Sequence, residues 1–196
     1  MTGAQAASAA AAATAVTVRA ATEDDVVAIH AIYAHHVTHG SGSFELAPPE
    51  LAEMARRRAE IVGKGMPYLV AVDDPESGSG AGGVLGFAYA APYRPRAAYR
   101  YTVEDSVYVA DGWARRGIGS RLIEDLIARC AALGRRQMVA VIGDSGNAAS
   151  IGFHARHGFR LAGTLPSVGF KFGRWVDSVV MVRPLGAGDR TPPDRA

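Results

Sequence analysis

The chain has one cysteine among 196 residues. That excludes a disulfide framework and a thiolate metal cluster, which need several. Cys130 stands in line with Leu122 and Leu126 at four-residue steps, so it reads as a small buried hydrophobe and not as a nucleophile. No apolar run approaches the about 20 residues that cross a membrane. Charge of one sign is also scarce. The formal net charge is +2, and the longest basic run is Arg56–Arg58, on an expected helix as a solvated face. A nucleic-acid binder would carry a denser basic stripe, so that partner is not expected. The alanine-rich residues 1–15 have neither a positive start nor a leucine-rich centre, and read as a disordered tail and not an export signal. A cytoplasmic protein is expected.

What remains is ordinary globular material, 48% hydrophobic and 20% charged. "VTVRAAT" reads as a strand, with Thr22 capping a helix that carries Asp24 and Asp25 in its first turn. Val26, Ile29, Ile32 and Tyr33 form the apolar side of that helix, which ends near His39-Gly40. "GSGSFELAPPE" is a loop, followed by a helix from about Pro49 to Gly63. "YLVAV" and "GVLGFAYAAPY" are strands joined by the hairpin connection "DDPESGSGAGG". "YTVEDSVYVA" is a strand that runs into a long helix from Gly117 to Leu133. "QMVAVIG" has the unbroken apolar character of a strand buried on both faces. A helix from about Asn147 to His157 follows, closed by Gly158. Strands at Arg160–Gly163, extending toward Ser167, and at Trp175–Val182 complete the order. "GAGDRTPPDRA" reads as a disordered end. The order implies one α/β domain over residues 16–185, with a strand–helix–strand unit at its centre and tails at 1–15 and 186–196.

The junction "VYVADGWARRGIGSRL" holds more glycine and arginine than a connection needs. The first N–H groups of a helix lack intrahelical partners, and the helix dipole adds positive potential there. A strand entering a Gly-x-Gly helix start is a phosphate cradle, with arginines for charge; a tight turn explains the same glycines equally well. The dinucleotide fingerprint is incomplete, because Leu122 stands where its third glycine belongs. The P-loop Gly-Lys-Ser/Thr is absent.

"ARRGIGSRL" resembles the acyl-CoA motif of the GNAT superfamily, and "GNAASIGFHARHGF" resembles its next motif. "FAYAAPYRPRAAYRYTVEDSVYV", "VAVIGDSGNAAS" and "GFKFGRWVD" narrow this to the phosphinothricin and methionine sulfone/sulfoximine N-acetyltransferases. The resemblance spans about residues 16–185. It implies the GNAT fold, an α/β fold with a mixed, mostly antiparallel central sheet and flanking helices. It also implies acetyl-CoA as co-substrate, no metal, a small-molecule amine as acceptor, and a homodimer. Arg115, Arg116, Gly117, Ile118, Gly119 and Ser120 would hold the pyrophosphate. Val107, Tyr108 and Val109 would pair their backbones with the pantetheine arm. Asn147 and Ser150 match family positions on that arm; read alone, they are a helix cap and a first-turn serine. Ala114 departs from the motif, where Gln or Arg is usual. That removes one side-chain hydrogen bond and leaves the backbone cradle intact.

Glu104 matches the family's general base; without the resemblance it is equally a solvated edge carboxylate. Asp105 points to the opposite face by strand alternation. A backbone N–H of 107–109 would polarise the thioester carbonyl. His154 stands where a proton donor to the CoA sulfur is expected, or else is a packed histidine at the CoA entrance. His30, His35, His36 and His39 lack the carboxylate spacing of a zinc helix, so no metal is expected; His35 matches a family histidine ahead of the substrate loop. For the acceptor, the choice is Arg96 for the carboxylate, with Phe44, Glu45, Tyr93 and Thr102 lining the pocket. Phe44 and Tyr93 are core packing on the plainer reading. "KFGRW" forms the far wall or part of a dimer interface. The alternatives to a small-amine enzyme are acetylation of a peptide or protein amine, and a CoA-binding regulatory module without catalysis.

Overall fold

The structure, a computed structural model, describes residues 16–73 and 83–193. The alanine-rich stretch 1–15 and most of the expected hairpin connection lie outside the described residues. Seven strands form one sheet in the order β1-β2-β3-β4-β5-β7-β6. They are β1 (Val16–Ala20), β2 (Tyr68–Asp73), β3 (Val84–Pro92), β4 (Thr102–Val109), β5 (Gln137–Gly143), β6 (Arg160–Lys171) and β7 (Arg174–Pro184). Only β4 and β5 pair in parallel, because the helix between them supplies the crossover that parallel strands need. The mostly antiparallel sheet read from the sequence is the sheet found.

Helices α1 (Val26–His39) and α2 (Leu51–Gly63) cover one face; α3 (Ile118–Ala132) and α4 (Ala148–Arg156) cover the other. Strand alternation divides the core between them. Tyr68, Val70 and Phe87 pack with Ile29, Tyr33 and Val37 of α1, while Leu69, Ala71 and Ala88 pack with Ile118, Leu122 and Leu126 of α3. Cys130 sits in the α3 layer, and burial pushes its thiol up to about 12. Emptying one of these leucine sites to alanine costs about 2–5 kcal/mol.

Two boundaries differ from expectation. Thr22 does not cap α1. Its N–H and Oγ instead donate to Asp25 Oδ2 at 2.7 and 3.0 Å, and Arg19 forks onto both oxygens of Asp25 at 2.7 and 2.8 Å. A guanidinium satisfies that carboxylate better than a helix end would, so Asp25 is spent on β1. The second difference is β6, which continues to Lys171 through an irregularity between Leu165 and Gly169. An edge strand tolerates Pro166 there. Phe172 and Gly173, with φ of 53° and 73°, then make the two-residue turn into β7. Beyond Leu185, hydrogen bonds from Arg136 reach the described part of the C-terminal segment. Arg136 donates to the carbonyls of Gly188 and Thr191 at 2.8 and 2.6 Å.

Candidate active site

The site begins where two strands part. The β4–β5 ladder runs from Thr102↔Gln137 to Asp105↔Ala140 and stops, while β4 continues to Val109 against β3. Tyr93 N–H donates to Thr102 O and Ala110 N–H to Leu85 O. Hydrogen-bonded pairs alternate along an antiparallel ladder, so Glu104, Ser106 and Tyr108 turn their peptide groups to β3. Val107 and Val109 turn theirs toward β5, beyond its last rung. The expectation that Tyr108 offers its backbone to a pantetheine arm is therefore corrected: that backbone belongs to the β3 ladder. Its side chain stacks on Phe87, centroids 5.0 Å apart, and meets Tyr33 edge-on at 5.2 Å. The backbone edge left without a β5 partner is that of Val107 and of the Val109 N–H, the Val109 carbonyl being taken by His36.

The chain then enters the glycine-arginine turn. Arg115 has φ 61° and Gly117 φ 80°, a left-handed pair ahead of α3 that turns successive N–H groups into one concavity. A non-glycine residue pays strain for that backbone. Gly117 is the N-cap, with no side-chain cap bond. Arg116 lies over Trp113, 4.5 Å from the ring centroid, and Arg115 is exposed. Gly119 serves packing as well as access, since a Cβ there would stand 3.2 Å from the Phe153 ring of α4. Ile118 is buried in the core; Ser120 follows in the first turn of α3. The turn fits a diphosphate, and the strand edge fits an amide-bearing arm.

On α4 the helix-cap reading of Asn147 is realised: its Oδ1 accepts the Ser150 N–H at 3.1 Å. His154 is buried, 3.1 Å from Asp105 through Nε2 and 2.8 Å from the Ser150 carbonyl through Nδ1. Glu104 faces the other side of the sheet. Burial raises its pKa, the nearby Asp105 charge adds to the rise, and Arg94 opposes it.

On that face a cavity of about 390 Å³ is walled by Tyr33, Tyr68, Tyr89, Tyr93, Arg57 and Arg94 among others. Ala91, the cross-strand neighbour of Glu104, is one of its walls. Tyr93 lines it. Phe44, Glu45, Arg96 and Thr102 do not; the arginines that do are Arg57 and Arg94. Arg96 precedes the 3₁₀ turn Ala97–Tyr99 and is exposed. Glu45 reaches the cavity through Arg57, 2.6 Å away. Phe44 lies against Gly169 of β6, where a Cβ would stand 2.3 Å from its ring. The loop 40–45 that carries these residues is pinned from three sides. Lys171 Nζ donates to the carbonyls of Gly40 and Ser43 at 2.9 and 2.7 Å. Tyr33 and Ser43 hydroxyls meet at 3.1 Å, and Gly143 leaves room for the Ser41 carbonyl.

The histidines of α1 are used singly. His30 bonds the Pro49 carbonyl and His36 the Val109 carbonyl, each at 2.8 Å, while His35 stacks on His39 at 4.7 Å. Among the described residues no three His, Cys, Asp or Glu side chains are grouped to hold a metal. Sequence reasoning weighed His36 only as a metal ligand and did not pair Asp105 with His154, because each contact joins residues far apart in the chain.

A parted sheet edge, a glycine-arginine turn at a helix start and a half-buried carboxylate on the same strand are the arrangement that a CoA-dependent acyltransferase requires. Comparison with known proteins narrows this. The model of the "Acetyltransferase (GNAT) family" matches residues 36–159, and the chain belongs to that family. It is 54% identical to a phosphinothricin N-acetyltransferase of Alcaligenes faecalis, over 92% of this chain and 88% of that protein. It is 42% identical to an L-methionine sulfoximine/L-methionine sulfone acetyltransferase of Pseudomonas aeruginosa, over 84% and 92% of the two chains. A GNAT superfamily phosphinothricin acetyltransferase from Sinorhizobium meliloti, solved in complex with AcCoA, superposes with a TM-score of 0.86. Its identity is 44%, covering 92% of this chain and 94% of that one.

Proposed function

We propose that this acetyltransferase moves the acetyl group of acetyl-CoA to the amino group of a small amino acid or analogue. The acceptor class is that of phosphinothricin, methionine sulfone and methionine sulfoximine, as the names of its relatives suggest. The observation that carries the reading is the placement of Glu104. It stands on the α1–α2 face of β4, paired with the cavity-wall residue Ala91 and one residue before the β5 ladder ends, which supports a base beside the parted edge proposed for the thioester.

The diphosphate of acetyl-CoA rests on the N–H groups of 115–120, with Arg115 and Arg116 supplying charge. Its pantetheine arm runs along Val107 and Val109, past the first turn of α4 with Asn147 and Ser150. Glu104 takes a proton from the acceptor ammonium, and the freed nitrogen attacks the acetyl carbon in a ternary complex. A Val107 or Val109 N–H facing the gap steadies the carbonyl oxygen as it gains charge. As the carbon–sulfur bond breaks, sulfur keeps the electron pair and His154 protonates it. Arg94 and Arg57, with the tyrosines of the cavity, bind the amino acid. Glu45 borders that site through its ion pair with Arg57, whereas Arg96, Phe44 and Thr102 lie outside its walls.

The protein acts in the cytoplasm as a homodimer. Supporting the dimer, β6 is an edge strand, and Leu161, Leu165, Val168, Phe170 and Trp175 along β6 and β7 are more than half exposed. An apolar edge of this kind calls for a cover. Among the described residues no helix is long and apolar enough to cross a membrane.

Thiol release from acetyl-CoA, measured across an amine panel, tests the reading. Turnover is expected with methionine sulfone, methionine sulfoximine or phosphinothricin, and little with peptide amines. Turnover confined to peptides, or none at all, would overturn it.

A further inference from the structure

Asp105 and Glu104 are chain neighbours on opposite faces of the sheet. Asp105 turns to the α3–α4 side at the last β4–β5 rung, and its side chain is 1% exposed. Its Oδ2 lies 3.1 Å from His154 Nε2. His154 Nδ1 lies 2.8 Å from the carbonyl oxygen of Ser150. A carbonyl only accepts, so Nδ1 carries a proton. A carboxylate on the second nitrogen then asks for a second proton, since two lone pairs facing each other repel. Burial alone would strip the ring of charge, yet the hydrogen bond and charge of Asp105 raise its pKa above the ordinary value.

The other groups around the ring do not supply that effect. Phe153 and Phe159 stand 5.0 and 5.1 Å away and carry no charge. Cys130 of α3, its thiol pushed up to about 12, is neutral at pH 7. His157, one turn on, lies 3.6 Å from Glu124 of α3. Asp105 Oδ1 is buried with no hydrogen-bond partner. A buried ion pair is poor value as a fold stabiliser beside apolar packing; this one sits beside the gap where β4 and β5 part.

We propose that Asp105 is a positioning residue of the acetyl transfer, holding the His154 ring doubly protonated beside the gap through which the CoA sulfur departs. This rests on the reading of His154 as the acid. In the step, the amine nitrogen bonds to the acetyl carbon, the carbon–sulfur bond breaks, and sulfur keeps the pair. Sulfur takes the Nε2 proton out of its hydrogen bond to Asp105 Oδ2, and His154 is left neutral with Nδ1–H still on Ser150. Nε2 then faces the Asp105 carboxylate without its proton, which draws one back from solvent and resets the site.

Imidazole ¹⁵N NMR over a pH series, with kcat–pH profiles, tests this in the wild type, Asp105→Asn, His154→Gln and the double variant. The wild-type His154 ring is expected to stay doubly protonated above the ordinary histidine midpoint of about 6.5. In Asp105→Asn its midpoint and the alkaline limb of kcat should fall together, because the hydrogen bond and charge that raise the ring's pKa are removed. Acetyl-CoA affinity should stay within about 2-fold, and adding Asp105→Asn to His154→Gln should change kcat no further. A wild-type ring that loses its second proton at or below the ordinary histidine midpoint overturns the proposal without any variant having to fold. A slow His154→Gln enzyme beside an Asp105→Asn enzyme with the wild-type limb overturns this proposal alone. A His154→Gln enzyme with wild-type kcat overturns the acid reading as well.

Discussion

His36 donates its Nε2–H to the carbonyl of Val109, 2.8 Å away and 73 residues on in the chain. The bond ties the last turn of α1 to the final residue of β4, where the exposed strand edge gives way to the anion-binding turn. The same ring leans on Tyr108, centroids 5.3 Å apart, and the backbone oxygen of His36 accepts the Gly40 N–H at the start of the 40–45 loop. One residue thus fixes both sides of the site.

His36→Phe keeps the ring and its contact with Tyr108 while removing the donor. The Val109 carbonyl loses a partner worth about 0.5–1.5 kcal/mol, so the KM for acetyl-CoA should rise by about 2- to 10-fold with kcat much less affected. His36→Gln, which can still donate, should recover most of the loss. Steady-state kinetics with acetyl-CoA varied is the check; an unchanged KM in His36→Phe would remove His36 from the site.

Gly143 shows what close approach demands. A Cβ there would stand 1.9 Å from the Ser41 carbonyl oxygen, and both partners are backbone, so neither can yield by rotating. Gly143→Ala should push the 40–45 loop off the end of β5. The expected cost is about 1–3 kcal/mol of stability, with a raised acceptor KM and an acetyl-CoA KM near wild type. Thermal unfolding and kinetics with the acceptor varied would show it; a variant with wild-type Tm and KM would mean the loop does not sit there in solution.

Local pattern made most of the fold legible. Apolar steps of three and four placed α1 and α3, and period-two alternation set Glu104 and Asp105 on opposite faces. The glycine-arginine turn was readable because its backbone chemistry is local. What the chain hid depends on tertiary pairing. Thr22 looked like a cap because Arg19, which claims Asp25, acts across a strand end. The length of β6 was masked by Pro166 and Gly169, which an edge strand accommodates. Arg96 drew the choice of carboxylate clamp by residue type, whereas the path of the β3–β4 connection turns Arg94 into the cavity wall. Asp105–His154 and His36–Val109 span 49 and 73 residues, beyond what any motif spacing records.

Asp25 gives a prediction for stability. Its pKa is lowered to about 2, first by the hydrogen bond from Arg19, although burial opposes the fall. A depressed carboxyl stabilises the fold above the unfolded pKa, and the contribution disappears as pH falls through the folded value. The drop from 3.8 to about 2 corresponds to roughly 2 kcal/mol. Asp25→Asn should therefore lose about that much at pH 7, and the gap from wild type should narrow between pH 4 and pH 2. Urea unfolding at several pH values measures this. A gap that stayed constant down to pH 2 would show that the charge is not what Asp25 contributes.

Glu104 carries the last prediction. Its pKa is raised by burial and by the Asp105 charge, while a base must be ionised to accept the proton of the ammonium. The acid limb of kcat/KM should consequently lie above the ordinary glutamate value of about 4.3, with activity falling as pH drops through the raised pKa. Glu104→Gln preserves size and hydrogen bonding but removes the basicity. A positioned base is worth ~10²–10⁴ in rate, or roughly 3–5 kcal/mol of barrier, and kcat/KM should fall by about that factor with acetyl-CoA affinity nearly unchanged. The deficit should shrink as pH rises, because solvent hydroxide then supplies more neutral amine, and the acid limb assigned to Glu104 should vanish from the profile. If the variant retained wild-type kcat/KM near neutral pH, the amine would have to arrive already neutral. Catalysis would then rest on orientation in the ternary complex and on the Val107 and Val109 N–H groups that face the gap.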